Sequence, residues 1–412
     1  MLTITAGDQL NRISIPHLVD IFTRTLNQRG YRPMVVQAYR RAVEHFLSWL
    51  TAEAQELSGA SVQRFVDEHL SICQCPGRLQ KNRVTVRPAL RRLLDLLRAT
   101  GRLAVTQSFP PVTRAELDSY DSYARSVCGL ASATLVSRRQ WIGRFLTHCF
   151  PACSPAIDQL RPRDIHAFFQ EQCKHCKAGT ANVIASAVRS YLRFRAVQHA
   201  DSIHSVMAAV PTAAQWRLAA LPNYLSKAEL DRLMTAAVPP AEPQRQRDYA
   251  VLRCLVDLGL RSCEVAALRL DDIDWTSGTI AIPTGKSNRT DLLPLPEITG
   301  QALAVYLRHG RPETHCRAVF VRHRAPLDAP VNTSVIRSVV RQAAARAGLA
   351  DRLRGPHQLR HSAATRMLEA GATLKEIADV LRHRSLDTTA VYAKVDHRRL
   401  IAIAQPWPGG AQ

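Results

Sequence analysis

Six residues in the last part of the chain, taken in order, are of the types that could move a phosphoryl group: Arg261, Lys286, His357, Arg360, His383 and Tyr392. Breaking a phosphodiester without a metal or a nucleotide needs a nucleophile, cations that take up the charge developing on the phosphate, and an acid for the leaving oxygen. A tyrosine hydroxyl can be the nucleophile, and guanidiniums can grip two non-bridging oxygens at once. A lysine or histidine can supply the proton. Taken singly, each residue has a plainer use: an arginine at a helix end is usually solvated, a turn lysine guards a strand edge, and a tyrosine packs.

Local patterns place these side chains on defined elements. Arg261 follows Gly259, which ends an apolar-faced helix, and Glu264, three residues on, is positioned to brace it. Lys286 sits in the polar turn GKSN between strand-like runs at 279–283 and 291–295, a β-hairpin signal. In GPHQLRHSAATRMLEAG, Pro356 pre-sets a helix start, so that His357, Arg360 and His361 share one face while Ala364, Met367 and Leu368 turn to the core. Histidine and arginine at a helix N-terminus, where the dipole is positive, favour a phosphate. His361 reads as a supporting or packing residue. His383 lies in the basic turn LRHR, and Tyr392 follows nine residues later in DTTAVYAK, a short helix.

In this order and spacing the set resembles that of the tyrosine recombinases, also called the phage-integrase-like family, over about residues 224 to 400. The resemblance implies that Tyr392 attacks the scissile phosphate of double-stranded DNA to give a 3′-phosphotyrosyl link and a free 5′ hydroxyl. It further implies that Arg261 and Arg360 hold the non-bridging oxygens, that His357 and His383 donate or relay protons, and that Lys286 protonates the leaving oxygen. Neither a metal nor a cofactor is implied. A C-shaped clamp around the duplex and a homotetramer on two DNA sites are also implied. The apolar tail at 397–404 must bury somewhere, either folded back on its own catalytic domain or, as the resemblance implies and as we expect, docked into a neighbouring subunit. Arg382 departs from the family pattern, which often has glycine before the histidine. A topoisomerase of the same chemistry and a non-catalytic helical DNA-binding regulator are the alternatives. A regulator would be expected to lose part of the set. The sequence names neither the target site nor any accessory recombination protein, and it leaves open integration or excision of a mobile element, integron-like shuffling and chromosome resolution.

The rest of the chain agrees with a polyanionic partner. Lys plus Arg outnumber Asp plus Glu by 55 to 34 in 412 residues, a net charge of +21, and phosphate binding by such a surface is driven by counterion release. Turn-rich breaks at 108–112 and 210–223 suggest three domains: a helical one at 1–105, a helical core-binding (SAM-like) one at 113–208 that the resemblance reaches more weakly, and a catalytic one at 224–404. The expected fold class is mainly α, with a small antiparallel β-sheet in the catalytic domain and no strand in the first two. GYRPMVVQAYRRAVEHFL aligns with GLASATLVSRRQWIGRFL when Phe46 is set on Phe145, and Phe65 then falls on Phe168, which reads as two copies of one module. The absence of a signal-like start or a long apolar run leads us to expect a cytoplasmic protein without a membrane span. Of ten cysteines, Cys149, Cys153, Cys173 and Cys176 have a loose zinc-like spacing, although Cys149 and Cys173 end apolar runs where a thiol serves as a small hydrophobe.

Overall fold

The structure is a computed structural model, and it describes residues 2–395 apart from 7–8, 54, 78, 104–108, 152–154, 198–199, 215–220, 239–240, 284–289 and 384–387. Prolines and side-chain caps start most of its helices. In the first part, Pro16 and Pro33 open α1 (Ile15–Gln28) and α2 (Pro33–Ala52), where a missing N–H costs nothing. The Ser58 hydroxyl caps α3 (Gly59–Arg64), which runs through a π-helical turn (Phe65–His69) into α4 (Leu70–Ile72). Asn82 caps α5 (Arg83–Ala99). These helices close on one core that buries Phe22, Phe46, Leu47, Phe65, Leu90 and Leu93 completely.

Ahead of them, β1 (Leu2–Ala6) pairs antiparallel with β2 (Gln9–Ile13), a correction to the expectation that residues 1–105 hold no strand. Gln9, Asn11 and Arg12 break up the apolar alternation, so residue pattern alone is weak there, while Gly-Asp between the runs is a hairpin dipeptide by sequence.

The second part repeats the plan with α6 (Pro111–Ser126), α7 (Ser132–Cys149), α8 (Pro162–Cys173), α9 (Ala178–Ala196) and α10 (Ala200–Ala208). Its core holds Leu117, Tyr120, Ile142, Phe145, Phe168 and Tyr191. The two aligned phenylalanine pairs make the same edge-to-face contact: Phe46 and Phe65 at 5.2 Å and 69°, Phe145 and Phe168 at 5.2 Å and 73°. Cys149, Cys173 and Cys176 pack against this second core. Burial, with Asp164 adding to it, pushes the Cys149 thiol up to about 12, which suits a hydrophobe better than a metal ligand. Cys153 lies outside the described residues.

In the third part, α11 (Lys227–Ala237) starts at the Ser226–Glu229 capping box read from sequence, followed by α12 (Pro243–Val256) and α13 (Ser262–Ala267). Then β3 (Ile273–Asp274), β4 (Thr279–Pro283) and β5 (Thr290–Pro294) form an antiparallel sheet in the order β3-β4-β5. The hairpin β4–β5 was legible in the sequence; β3, only two residues long, carries no periodic signal. Ile280, opposite Leu293, and Ile282 turn inward, as the period of two requires. The helices α14 (Glu297–Val305), α15 (Thr333–Arg346), α16 (Pro356–Glu369) and α17 (Leu374–Val380) complete it, with α12 packed against α14, α15 and α16. A final 3-10 turn, Ala390–Val395, carries Tyr392. Among the described residues no helix is long and apolar enough to cross a membrane.

Gly259 fixes how the chain leaves α12. Its φ is +60°, and a Cβ there would stand 2.7 Å from the Leu381 side chain and 3.3 Å from Ala363 Cβ. We expect Gly259→Ala to cost about 1–3 kcal/mol from backbone strain alone. The check is the midpoint of chemical unfolding, and a midpoint equal to wild type would show that this turn is not constrained.

Candidate active site

Arg261 stands at the N-cap of α13, and its position is set by Glu264 one turn on. The Arg261 Nη1 donates to Glu264 Oε1 at 2.7 Å, and its backbone N–H donates to Oε2 at 2.8 Å. The same Oε2 accepts from Arg382 Nη2 at 2.8 Å. Arg360, on the first turns of α16 and only 2% exposed, donates to the Gly259 carbonyl at 2.7 Å and to the Leu381 carbonyl. Three guanidiniums are therefore gathered around one carboxylate. Burial alone would raise the Glu264 pKa, but Arg382 and Arg261 outweigh it and hold the group below the usual carboxylate range. Burial, reinforced by Arg261, brings Arg360 down to about 10. The excess positive charge favours an anion.

Arg382 explains how this departure from the family pattern is accommodated. Its φ is +54°, the left-handed region where glycine is favoured, so the backbone there keeps the shape that glycine would adopt freely. The side chain, buried, compensates through the ion pair with Glu264 and a 3.0 Å bond to the Val380 carbonyl. Its own carbonyl receives Arg261 Nη2 at 3.3 Å, so it helps to aim that guanidinium.

The histidines line the same place. His383 faces Thr389 through Nδ1 and Oγ1 at 2.7 Å, and Thr389 is fully buried. His357 lies open to solvent at the start of α16, its ring edge-on to His361 at 4.4 Å between centroids. His361 Nδ1 in turn lies 2.8 Å from the Tyr392 hydroxyl. Burial, then the neighbouring His357 and Arg360, lowers His361 to about 4; burial and Arg360 with Arg261 do the same for His383. His357 is lowered too, by partial burial and the same two arginines. All three are neutral near pH 7. Tyr392 is 1% exposed, and burial pushes its hydroxyl up to about 12 against the opposing pull of Arg360.

The structure thus brings Arg261, His357, Arg360, His383 and Tyr392 to one place, while Lys286 lies outside the described residues. Sequence reasoning gave His361 a supporting or packing part, and the structure sets it against the Tyr392 hydroxyl, a contact that its spacing of four from His357 did not by itself reveal. Thr389 and the Glu264–Arg382 pair gave none, because both depend on where separate segments meet. Beside His357, a groove is lined by Arg337, Arg341 and Arg354, all exposed and none paired with a carboxylate among the described residues.

Known proteins resemble this chain in sequence and in fold. The description "Phage integrase family" matches residues 223–399. A Sinorhizobium fredii (strain NBRC 101917 / NGR234) protein, y4rA, whose name places it with integrases/recombinases, is 34% identical over 397 residues, covering 95% of this chain and 94% of its own. The tyrosine recombinase XerD of Bifidobacterium longum (strain NCC 2705) is 29% identical over 286 residues, 66% of this chain and 90% of that one. Among solved structures, XerH recombinase bound to palindromic difH has a TM-score of 0.58 at 18% identity, covering 83% of this chain and 93% of its own. A lambda integrase (75–356) dimer bound to a COC′ core site gives 0.53 at 16%, covering 72% and 97%. The chain belongs to the phage integrase family of tyrosine recombinases, enzymes that recombine DNA by cutting and rejoining strands.

Two outcomes follow from the site's geometry. Arg382→Ala and Arg382→Gly both lose the ion pair, but only alanine keeps the left-handed strain, so the glycine variant should be more stable by about 1 kcal/mol. Equal unfolding midpoints would remove strain from the account. His361 and His383 titrate near 4 folded and near 6.5 unfolded, so the unfolded chain takes up protons first as pH falls. Their contribution is complete above about pH 6.5 and lost on descent toward 4. Calorimetry should show a falling melting temperature across this window, with a shallower fall in the His361→Gln/His383→Gln variant.

Proposed function

We propose that Tyr392 is the nucleophile of site-specific recombination on double-stranded DNA. Its hydroxyl passes its proton to His361 as the oxygen attacks the scissile phosphate, the P–O5′ bond breaks, and the 3′-phosphotyrosyl link keeps the bond energy for rejoining with another 5′ hydroxyl. Arg261 and Arg360 hold the non-bridging oxygens, where an anion offsets their excess charge. His357 and His383 donate hydrogen bonds to the same phosphate, His361 positions the Tyr392 hydroxyl, and Lys286 protonates the leaving oxygen. The reaction on this reading uses no metal and no cofactor. What carries it is the convergence of the Arg261–Glu264–Arg382 cluster, Arg360 and the His361–Tyr392 contact.

Around that centre, the Arg337–Arg341–Arg354 groove follows the DNA backbone, since unpaired exposed arginines suit phosphates without reading bases. The two helical parts close on the duplex from the other side, as the arms of a clamp, and the matching phenylalanine contacts support their being copies of one DNA-binding module. Four copies on two DNA sites, joined through the tail at 397–404, would perform the exchange in the cytoplasm, with a mobile element as the substrate. That tail lies outside the described residues.

Wild-type protein incubated with a nicked suicide duplex from the element's ends should give a protein–DNA adduct on a denaturing gel. Tyr392→Phe should give none while shifting the same duplex with nearly unchanged affinity, because only the nucleophilic oxygen is gone. An adduct with the phenylalanine variant would assign the nucleophile elsewhere.

A further inference from the structure

Far from these residues in sequence, the first helical part contains a cluster that recombination chemistry does not use. His45 lies on the core face of α2 and is 1% exposed. His69 ends the π-helical turn, and Cys73 and Cys75 lie in the segment that leads from α4 to α5. One potential ligand atom from each of the four lies within 4.8 Å of all the others. His45 Nε2 is 3.3 Å from His69 Nε2 and 3.3 Å from Cys73 Sγ, and His69 Nε2 is 3.6 Å from Cys75 Sγ.

The three separations of 3.3, 3.3 and 3.6 Å are those of a tetrahedron's edges around a metal ion, and the remaining ones lie within 4.8 Å. Ligands around zinc at about 2.0–2.1 Å for nitrogen and about 2.3 Å for sulfur stand about 3.3–3.8 Å from one another. The ring of His45 is also turned correctly: its Nδ1–H donates to the Gln80 carbonyl at 3.2 Å, and because a carbonyl only accepts, the Nε2 of the neutral ring faces the cluster with its lone pair. A backbone carbonyl on the far ring nitrogen is the outer contact that orients metal-binding histidines. We propose that His45, His69, Cys73 and Cys75 bind one zinc ion as a closed structural site. Two nitrogens and two thiolates fill all four positions, leaving none for substrate, and the thiolates neutralise the ion as their protons leave.

The ion would tie the 73–82 segment, which has no helix or strand among its described residues, to α2. It would also be peculiar to the first part. With Phe46 set on Phe145 and Phe65 on Phe168, His45 falls on Arg144 and His69 on Gln172, neither a zinc ligand. In the second part His148 and Glu171 meet at 2.9 Å near the equivalent place.

The test uses the full-length protein, purified under reducing conditions without chelator, and elemental analysis. About one zinc per chain is expected for a single closed site. Cys73→Ser/Cys75→Ser should fall to background, while Cys173→Ser/Cys176→Ser, which alters the other short cysteine pair, should retain it. Cobalt exchanged into the wild type should give intense visible bands of tetrahedral cobalt with thiolate charge transfer, absent from the first variant. Should that variant fail to fold, His69→Gln supplies the measurement, with zinc held at least about tenfold more weakly against a competing chelator. A metal-free wild type, full zinc in Cys73→Ser/Cys75→Ser, or unchanged affinity in His69→Gln would each overturn the site.

Discussion

Glu264 is the only carboxylate in contact with Arg261 and Arg382 among the described residues, and Arg360 stands beside them bonded only to carbonyls. Folding the site therefore means placing like charges together with too little opposite charge, a cost that burial raises. Backbone carbonyls of Gly259, Leu381, Val380 and Arg382 make up part of the difference by accepting guanidinium hydrogens. The geometry of the chain ends that supply those carbonyls is accordingly narrow: a glycine at φ +60° after α12 and an arginine at φ +54° after α17. The histidines stay neutral chiefly because they are buried, and the neighbouring guanidiniums, which would repel a further cation, add to it.

How much of this was legible depended on the range of the interaction. Capping boxes at Ser226 and Thr373, the proline start of α16 and the β4–β5 hairpin are written in neighbouring residues, and all are present. The order of Arg261, His357, Arg360, His383 and Tyr392 was legible as a pattern, but not the contact from His361 to the tyrosine oxygen, which joins residues 31 apart. Arg382 could be seen as unusual. That its side chain would return to Glu264, 118 positions earlier, could not, because nothing local prefers that partner. The β1–β2 pairing escaped notice since the polar residues Gln9, Asn11 and Arg12 of β2 break the alternation that β1 shows.

The two helical parts show one packing plan held by different means. In each, a phenylalanine from the second helix meets one from a later helix edge to face, and the surrounding apolar face does the rest. In the first part, a histidine cluster extends the aromatic stack, with His69 lying flat on Phe65 at 5.1 Å. Polar rings inside a core need partners. Thiols, a carbonyl and, on the proposal above, an ion fill that need, whereas the nearest counterpart in the second part, the contact of His148 with Glu171, lies at the surface.

On the proposed reading, the state of Tyr392 bears on how cutting is confined to bound DNA. A hydroxyl held near 12 in a buried place, beside a histidine titrating near 4, gives up its proton reluctantly. The low value of His361 comes first from burial, then from His357 and Arg360, and a phosphate held by Arg261 and Arg360 opposes the last of these by supplying negative charge. On the proposed reading, anion binding therefore makes His361 a stronger proton acceptor at the moment when the oxygen it faces has a phosphorus to attack. Burial, which holds the Tyr392 hydroxyl up against the pull of Arg360 and holds His361 down, would then keep that oxygen protonated until the anion arrives.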